Sequence, residues 1–196
     1  MCEQVRILGI VGSPRRQGNS TRLLEVALRA AGINGALVQT LGLDELRLQA
    51  CDGCEACSEG LACVKNPDDA SRLLASLHLA DVLIVACPVY FFGVPSRLKS
   101  LIDRSQPYWW RGEQNRRRGL PRPVRKPAYA IVTAGRNRAG GFDGVLGCLK
   151  AFCFSLDFEL QTPLLLPSAD EPSTMKEGGN AMLRAAEMGR MAAGGS

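Results

Sequence analysis

The residues most informative about chemistry are four cysteines that lie close together in the sequence. Cys51, Cys54, Cys57 and Cys63 are separated by two, two and five residues. Three cysteines with two-residue gaps allow one short loop to surround a compact iron core, and the fourth can complete the coordination. Structural zinc more often uses two cysteine pairs with a long interval between them. The spacing favours a [4Fe–4S] cluster, with redox-active thiols and zinc as the alternatives.

The cysteine content also bears on where the protein is expected to work. The chain has eight cysteines in 196 residues. Its first residues lack the basic start and apolar run of a signal peptide, and no apolar stretch of the sequence is long enough to span a membrane. We therefore expect a cytoplasmic protein without membrane contact. Reduced thiols there serve metal or redox chemistry rather than a disulfide framework.

A second group of polar residues follows the first predicted strand, in the segment 13–21. Hydroxyl, amide and guanidinium groups at a helix start, together with backbone N–H groups, can bind a phosphate monoester. The segment lacks the glycine spacing of a dinucleotide fingerprint and the Gly-Lys pair of a Walker A loop. A simple N-capped turn is the alternative. The predicted phosphate-binding residues are Ser13, Arg15, Asn19, Ser20 and Thr21.

Two motifs of the chain resemble the NADPH-dependent FMN reductase family of flavodoxin-like proteins. The segment 12–21, G-S-P-R-R-Q-G-N-S-T, resembles the FMN phosphate loop of that family. The segment 88–95, P-V-Y-F-F-G-V-P, resembles the stretch that packs against the isoalloxazine ring, and a loop after the fourth strand would lie on the other side of the ring. The ring-binding residues implied are Pro88, Val89, Tyr90, Phe91, Phe92, Gly93, Thr133 and Gly135.

This placement agrees with a general property of open α/β sheets, which bind ligands beyond the carboxyl ends of their strands where the strand order reverses. The three aromatic residues at 90–92 could also be ordinary core or rim aromatics. The resemblance implies FMN as a cofactor. The cysteine spacing narrows it to the iron–sulfur flavoproteins of the family, which implies a homodimer or homotetramer in which the cluster of one subunit faces the FMN of its neighbour.

Apolar strands that alternate with amphipathic helices predict the scaffold for both sites. The pattern predicts an α/β protein with a parallel sheet in a three-layer sandwich. The resemblance implies that this sandwich is flavodoxin-like, with a five-stranded parallel sheet in the order 2-1-3-4-5. We expect a single domain over residues 1–196, and both cofactors on one edge of the sheet. The predicted strands are 5–11, 35–41, 81–87, 127–133 and 158–166, and the predicted helices are 20–31, 68–79, 96–105, 142–156 and a last one between Pro172 and Arg190.

Two long loops are predicted outside this scaffold, a cysteine-rich loop at about 50–66 and a basic loop at about 106–126. Basic runs are most often solvated, but complementary charge would also speed the docking of an acidic partner such as a ferredoxin. Trp109 and Trp110 precede the basic residues instead of alternating with them, so nucleic acid is not an expected partner. The basic residues are Arg111, Arg116, Arg117, Arg118, Arg122, Arg125 and Lys126.

These observations predict an oxidoreductase that contains FMN and a [4Fe–4S] cluster. A donor such as ferredoxin would pass single electrons through the cluster to FMN, which would reduce a small acceptor such as dioxygen, a peroxide or a quinone. One alternative is an NAD(P)H-dependent FMN, quinone or nitro reductase whose cysteines hold no iron. Another is a zinc-stabilised binding module. No side chain is predicted to act as an acid–base catalyst.

Overall fold

Six strands form one sheet in the computed structural model, which describes residues 4–60, 62–64, 68–171 and 173–194. The strands are β1 (Arg6–Val11), β2 (Leu37–Gly42), β3 (Val82–Pro88), β4 (Lys126–Thr133), β5 (Phe158–Leu160) and β6 (Leu164–Leu166). Their order is β2-β1-β3-β4-β5, with β6 also beside β4, and each of these pairs is parallel. The predicted order 2-1-3-4-5 is confirmed.

Helices cover both faces of the sheet and complete the predicted three layers. They are α1 (Asn19–Ile33), α2 (Ala70–Leu79), α3 (Ser96–Asp103), α4 (Gln106–Arg117), α5 (Asp143–Ser155) and α6 (Asn180–Ala192). Helices α1 and α6 bury their apolar residues against one face of the sheet, and α2, α3 and α5 bury theirs against the other. No helix in the described ranges is both long and apolar enough to cross a membrane.

The apolar pattern explains which strands lie at the centre of the sheet. In β3, residues 82–87 are all buried, because helices cover both faces of this central strand. In α1, Leu23, Leu24 and Leu28 recur at the spacing of one helix face and are buried against the sheet. Strand β2 is exposed along most of its length because it lies at the edge.

The segment 106–126 is not the continuous loop that the sequence predicts, since its first part is helix α4. This helix buries none of its residues, so it lacks the periodic apolar stripe by which helices are predicted. Its ends carry other helix signals. Pro107 lies in the first turn, where its missing N–H costs nothing, and Arg116 and Arg117 lie in the last turn, near the negative end of the helix dipole.

Two further boundaries differ from the sequence prediction. The fifth strand, predicted over 158–166, is divided into β5 and β6, which pair with opposite ends of β4. The last helix begins at Asn180, later in the chain than predicted, and Pro172 lies outside the described residues. Both differences lie away from the central strands, so they leave the predicted topology intact.

Helices α1 and α6 approach each other at a glycine. A Cβ atom built on Gly189 would overlap the backbone carbonyl of Ala27, so only glycine allows this separation of the two helices. Gly147, in α5, has no atom within 4 Å of the same built position. The two glycines therefore differ in packing, although both lie within helices.

We expect Gly189→Ala to lower the free energy of unfolding by about 1–3 kcal/mol, because the added methyl group forces α1 and α6 apart. The matched control, Gly147→Ala, should raise it by about 0.5–1 kcal/mol through helix propensity alone. Chemical denaturation followed by circular dichroism measures both changes. Equal signs for the two variants would contradict the close packing of α1 against α6.

Candidate functional site

A cavity of about 390 Å³, the strand-end cavity, opens at the carboxyl ends of the parallel strands. Its walls come from the segments that follow β1, β3, β4 and β6 and from the first turn of α1. The volume lies within the range of cofactor pockets, about 300–1,000 Å³. The lining residues are Ser13, Arg15, Gly18, Asn19, Ser20, Pro88, Val89, Tyr90, Thr133, Gly135, Arg136, Ala169 and Asp170.

The segment after β1 is folded as a compact turn that leads into α1. The hydroxyl of Ser13 accepts a hydrogen bond from the backbone N–H of Arg15 at 3.1 Å, and the N–H of Gly18 donates to the Arg15 carbonyl at 3.0 Å. Gly18 precedes the first residue of α1, and no side chain caps the helix. The first N–H groups of α1 are thus left for an anion at the cavity, as a phosphate site requires.

Two of the predicted phosphate-binding residues also hold the cavity together. The side-chain amide of Asn19 donates to the carbonyl of Ala169 at 2.6 Å, which joins the start of α1 to the segment after β6. The hydroxyl of Thr21 donates to the Arg15 carbonyl at 3.3 Å. Thr21 does not line the cavity, so its position supports the turn. A direct phosphate contact from Thr21 stays a prediction.

The predicted ring-binding segment after β3 forms a tight hairpin at the cavity mouth. The backbone N–H and C=O groups of Tyr90 and Gly93 bond to each other at 2.9 Å in both directions. Phe91 and Phe92 form the tip with φ angles of 49° and 62°, and their side chains are exposed. Tyr90 lines the cavity, whereas Phe91, Phe92 and Gly93 do not. Contacts between these three residues and a ring remain predictions.

Four lining residues were not predicted from the sequence, namely Gly18, Arg136, Ala169 and Asp170. Arg136 directly follows Gly135 and could have been found from the predicted end of β4. Asp170 and Ala169 follow β6, which the sequence pattern did not separate from β5. A Cβ atom on Gly135 would meet the Asp170 carboxylate, so a larger residue there would require the Asp170 side chain to move.

The segment 51–63, the cysteine segment, contains four cysteines that line one cavity, the cysteine cavity. Cys51 and Cys54 are exposed, Cys57 and Cys63 are partly buried, and none of them forms a disulfide. The segment includes a single 3₁₀ turn, Ala56–Glu59, entered and left through left-handed backbone at Glu55 and Gly60. The chain changes direction at these two left-handed residues, and all four cysteines line the same cavity.

The four thiols are close enough to influence one another electrostatically. Burial raises the pKa of the Cys57 thiol, and the charges of Cys63, Cys51 and Cys54 raise it further. A cationic centre would remove this repulsion by binding the thiolates. Among the described residues, no group of three His, Cys, Asp or Glu side chains is arranged to hold a single metal ion. A donor set of four cysteines around one cavity nevertheless fits the chemistry of an iron–sulfur cluster.

A buried ion pair contacts the chain on both sides of the cysteine segment. Asp68 and Arg104 form a two-point contact at 2.5 and 3.0 Å, and each side chain is only 1% exposed. The guanidinium also donates to the carbonyl of Gln49 at 3.2 Å and, through Nε, to the Sγ atom of Cys63 at 3.1 Å. Arg104 thus joins the residues before, within and after the predicted cluster loop.

The two cavities lie toward opposite ends of α3. The hairpin that precedes α3 borders the strand-end cavity, whereas Arg104, directly after α3, lines the cysteine cavity. An eight-residue helix spans about 12 Å. The two cavities have no lining residue in common. The cysteine cavity is therefore separate from the strand-end cavity, and the expectation that both cofactors lie on one edge of the sheet stays a prediction.

Helix α4 brings the basic residues next to the cysteine segment. The side chain of Gln114 donates to the carbonyl of Ser58 at 3.2 Å, and Pro107 borders the cysteine cavity. Arg111, Arg116 and Arg117 are exposed on the same helix. These exposed arginines thus lie on the helix that contacts the cysteine segment.

The sheet order and the cavity at its carboxyl edge define a flavodoxin-like α/β protein. Residues 5–153 match the family model of the NADPH-dependent FMN reductases. An iron–sulfur flavoprotein of Methanocaldococcus jannaschii is 40% identical over 137 residues, which cover 70% of this chain and 65% of the relative. One of Archaeoglobus fulgidus is 34% identical over 104 residues, 53% of this chain and 47% of the relative.

The chain belongs to the NADPH-dependent FMN reductase family, because the family model covers most of its length. It spans about half to two thirds of the length of the curated relatives it matches. A flavone reductase structure is similar with a TM-score of 0.73 and 20% identity, over 97% of this chain and 62% of that one. At that identity the likeness shows the fold alone.

The Asp68–Arg104 pair gives the protein a measurable pH dependence. Burial alone would raise the pKa of the Asp68 carboxyl, but hydrogen bonds from Arg104 and from the backbone of Gln49 and Ala70 outweigh it and lower the pKa. The pair therefore stabilises the fold fully above the ordinary carboxyl pKa of about 3.9, and this stabilisation is lost as the pH falls through the lowered value.

We expect Asp68→Asn to lower the free energy of unfolding by about 3 kcal/mol at neutral pH, because it leaves a buried guanidinium without its counter-charge. The difference from the wild type should shrink as the pH falls below about 4. Denaturant titrations at several pH values measure this. Asp69→Asn is the control, since Asp69 pairs with an exposed arginine, and its effect should be much smaller. Equal losses would contradict a special role for the buried pair.

Proposed function

We propose that the protein is an oxidoreductase that binds FMN in the strand-end cavity and a [4Fe–4S] cluster in the cysteine cavity. Electrons would pass from a protein donor such as a ferredoxin to a small acceptor such as dioxygen, a peroxide or a quinone. The observation that carries the proposal is the presence of both cavities on one chain of the FMN reductase family. The curated relatives described above are named iron–sulfur flavoproteins, which supports the same assignment.

The strand-end cavity would hold FMN through its phosphate and its ring. The uncapped start of α1 and the Arg15 guanidinium would supply N–H donors for a phosphate monoester, and the turn at Ser13 would hold them in place. The hairpin at Tyr90 and the loop at Gly135 would flank the ring from the segments after β3 and β4. These residues bind and orient, and bound FMN supplies the redox chemistry.

The cysteine cavity would hold the cluster through Cys51, Cys54, Cys57 and Cys63. The four residues line one space, and a cationic iron core would stabilise the thiolate form of their side chains. Asp52 and Glu55 also line this cavity. Their negative charge would make a cluster harder to reduce, which suits a strongly reducing centre.

The basic surface of α4 would receive the electron donor. Arg111, Arg116 and Arg117 are exposed beside the cysteine segment, and an acidic partner docked there would lie next to the cluster. Because α3 separates the two cavities within one chain, we also infer a homodimer or homotetramer in which the cysteine cavity of one subunit faces the strand-end cavity of another. The exposure of Cys51 and Cys54 is consistent with such an arrangement.

Arg15 provides a direct test of the phosphate site. We expect Arg15→Gln to raise the Kd for FMN about 10- to 100-fold, because it removes one charge-assisted hydrogen bond, and to leave the Kd for riboflavin unchanged. Fluorescence titration measures both ligands. Arg16→Gln is the matched control, since Arg16 pairs with Asp44 and Glu45 and does not line the cavity. An equal rise in the Kd values of FMN and riboflavin would mean that Arg15 does not contact the phosphate.

Cys54 tests whether the two cofactor sites are separate. In protein purified without oxygen, Cys54→Ser should reduce iron from about four atoms per chain to a small fraction, since one of four ligands is lost. FMN content should not change, because Cys54 does not border the strand-end cavity. Cys148→Ser is the control, since Cys148 lies outside the cysteine cavity. Loss of FMN together with iron would refute the separation of the sites.

The alternative function is an NAD(P)H-dependent FMN, quinone or nitro reductase in which the cysteines hold no iron. The family name is the observation that favours it. Stopped-flow mixing of the purified flavoprotein with NADPH separates the two functions. Rapid bleaching of the flavin in iron-free protein without ferredoxin would support the reductase, whereas slow bleaching by NADPH and rapid bleaching by reduced ferredoxin would support the electron-transfer protein. Colourless protein would favour a zinc-stabilised binding module instead.

A further inference from the structure

Arg104 contacts one cysteine of the predicted cluster loop directly. Its Nε atom lies 3.1 Å from the Sγ atom of Cys63, and the same side chain is 1% exposed. A guanidinium carries its charge at every pH at which proteins fold, and its five N–H groups lie in a rigid plane. The sulfur of Cys63 therefore has a permanently charged and buried donor next to it.

The remaining contacts of Arg104 fix the direction of this N–H group. Two of its nitrogens hold the Asp68 carboxylate, and one of these also donates to the Gln49 carbonyl. Because both terminal nitrogens of the guanidinium are held by Asp68, the orientation of the planar group is fixed. Its Nε–H bond, at another edge of the group, then points toward Cys63. The carboxylate thus positions the donor and also balances its charge.

We propose that Arg104 and Asp68 together set the reduction potential of the cluster, beyond holding the cysteine segment in place. This inference rests on the proposed function, because it requires the cluster to be present. The potentials of iron–sulfur centres depend on hydrogen bonds to their sulfurs and on local charge. An N–H group that donates to a ligand sulfur stabilises the reduced state more than the oxidised state, since the reduced state carries more negative charge.

The two residues act on the potential in opposite directions. Arg104 supplies the hydrogen bond and a positive charge, and both raise the potential. Asp68 supplies a negative charge at the other end of the guanidinium, which lowers it. A pair that only holds the loop would give the same sign of change when either partner is altered, because both changes would loosen the same segment.

The test compares three variants of the full chain, purified and reconstituted without oxygen. Arg104→Lys keeps the charge but cannot hold the carboxylate at two points and donate to Cys63 at once, so the midpoint potential should fall. Asp68→Asn keeps the shape but leaves the guanidinium charge unbalanced, so the potential should rise. Arg97→Lys is the control. Arg97 donates to the backbone carbonyls of Leu43 and Leu46 and should leave the potential unchanged.

Redox titration followed by electron paramagnetic resonance gives the potentials, and iron and sulfide analysis gives the occupancy. Opposite shifts in Arg104→Lys and Asp68→Asn, with iron retained, would support the proposal. Shifts of the same sign, no shift, or loss of iron from both variants would show that the pair is only a structural contact, and would overturn the proposal. A wild-type protein without iron would instead refute the proposed function, so the two failures can be distinguished.

Discussion

Parallel pairing of every strand in the described sheet is the constraint on which the strand-end cavity depends. It forces the carboxyl ends of β1, β3, β4 and β6 onto one edge, so four segments that are distant in the sequence meet there. Each segment must then turn sharply into a helix or a loop. The turn at Gly18 leads into α1 without a side-chain cap, so the first N–H groups of the helix have no capping side chain. Such groups at a helix start can bind a phosphate.

The cysteine segment obeys a different constraint, because its described residues contain no strand or long helix of their own. Between β2 and α2 the regular structure is limited to short 3₁₀ turns in the described residues. Such a segment loses much conformational entropy when it becomes ordered, and it needs contacts from outside. Helix α3 provides them at both of its ends. Arg97 holds the carbonyls of Leu43 and Leu46, and Arg104 holds Gln49, Cys63 and Asp68.

The difference between these two regions explains how much the sequence could predict. Buried strands and amphipathic helices have periods that a sequence displays, so the central strands and most helices were predictable. The sheet order and the segments around the strand-end cavity were predicted through the resemblance of two motifs to a known family. Helix α4 has no apolar face and was missed, although Pro107 and the basic residues of its last turn were visible signals. Asp170 was missed because the division between β5 and β6 depends on pairing with β4, which no local pattern records.

The burial of Arg104 also could not be predicted from the sequence. In the sequence it is one arginine at the end of an amphipathic helix, where basic residues are ordinarily solvated and favoured by the helix dipole. Its burial depends on Asp68, a residue that lies across the cysteine segment and whose carboxylate makes the burial of a charge tolerable. Because neither charge could be buried alone, the cysteine segment and the end of α3 must become ordered together, and the place of Cys63 beside the guanidinium follows from that coupling.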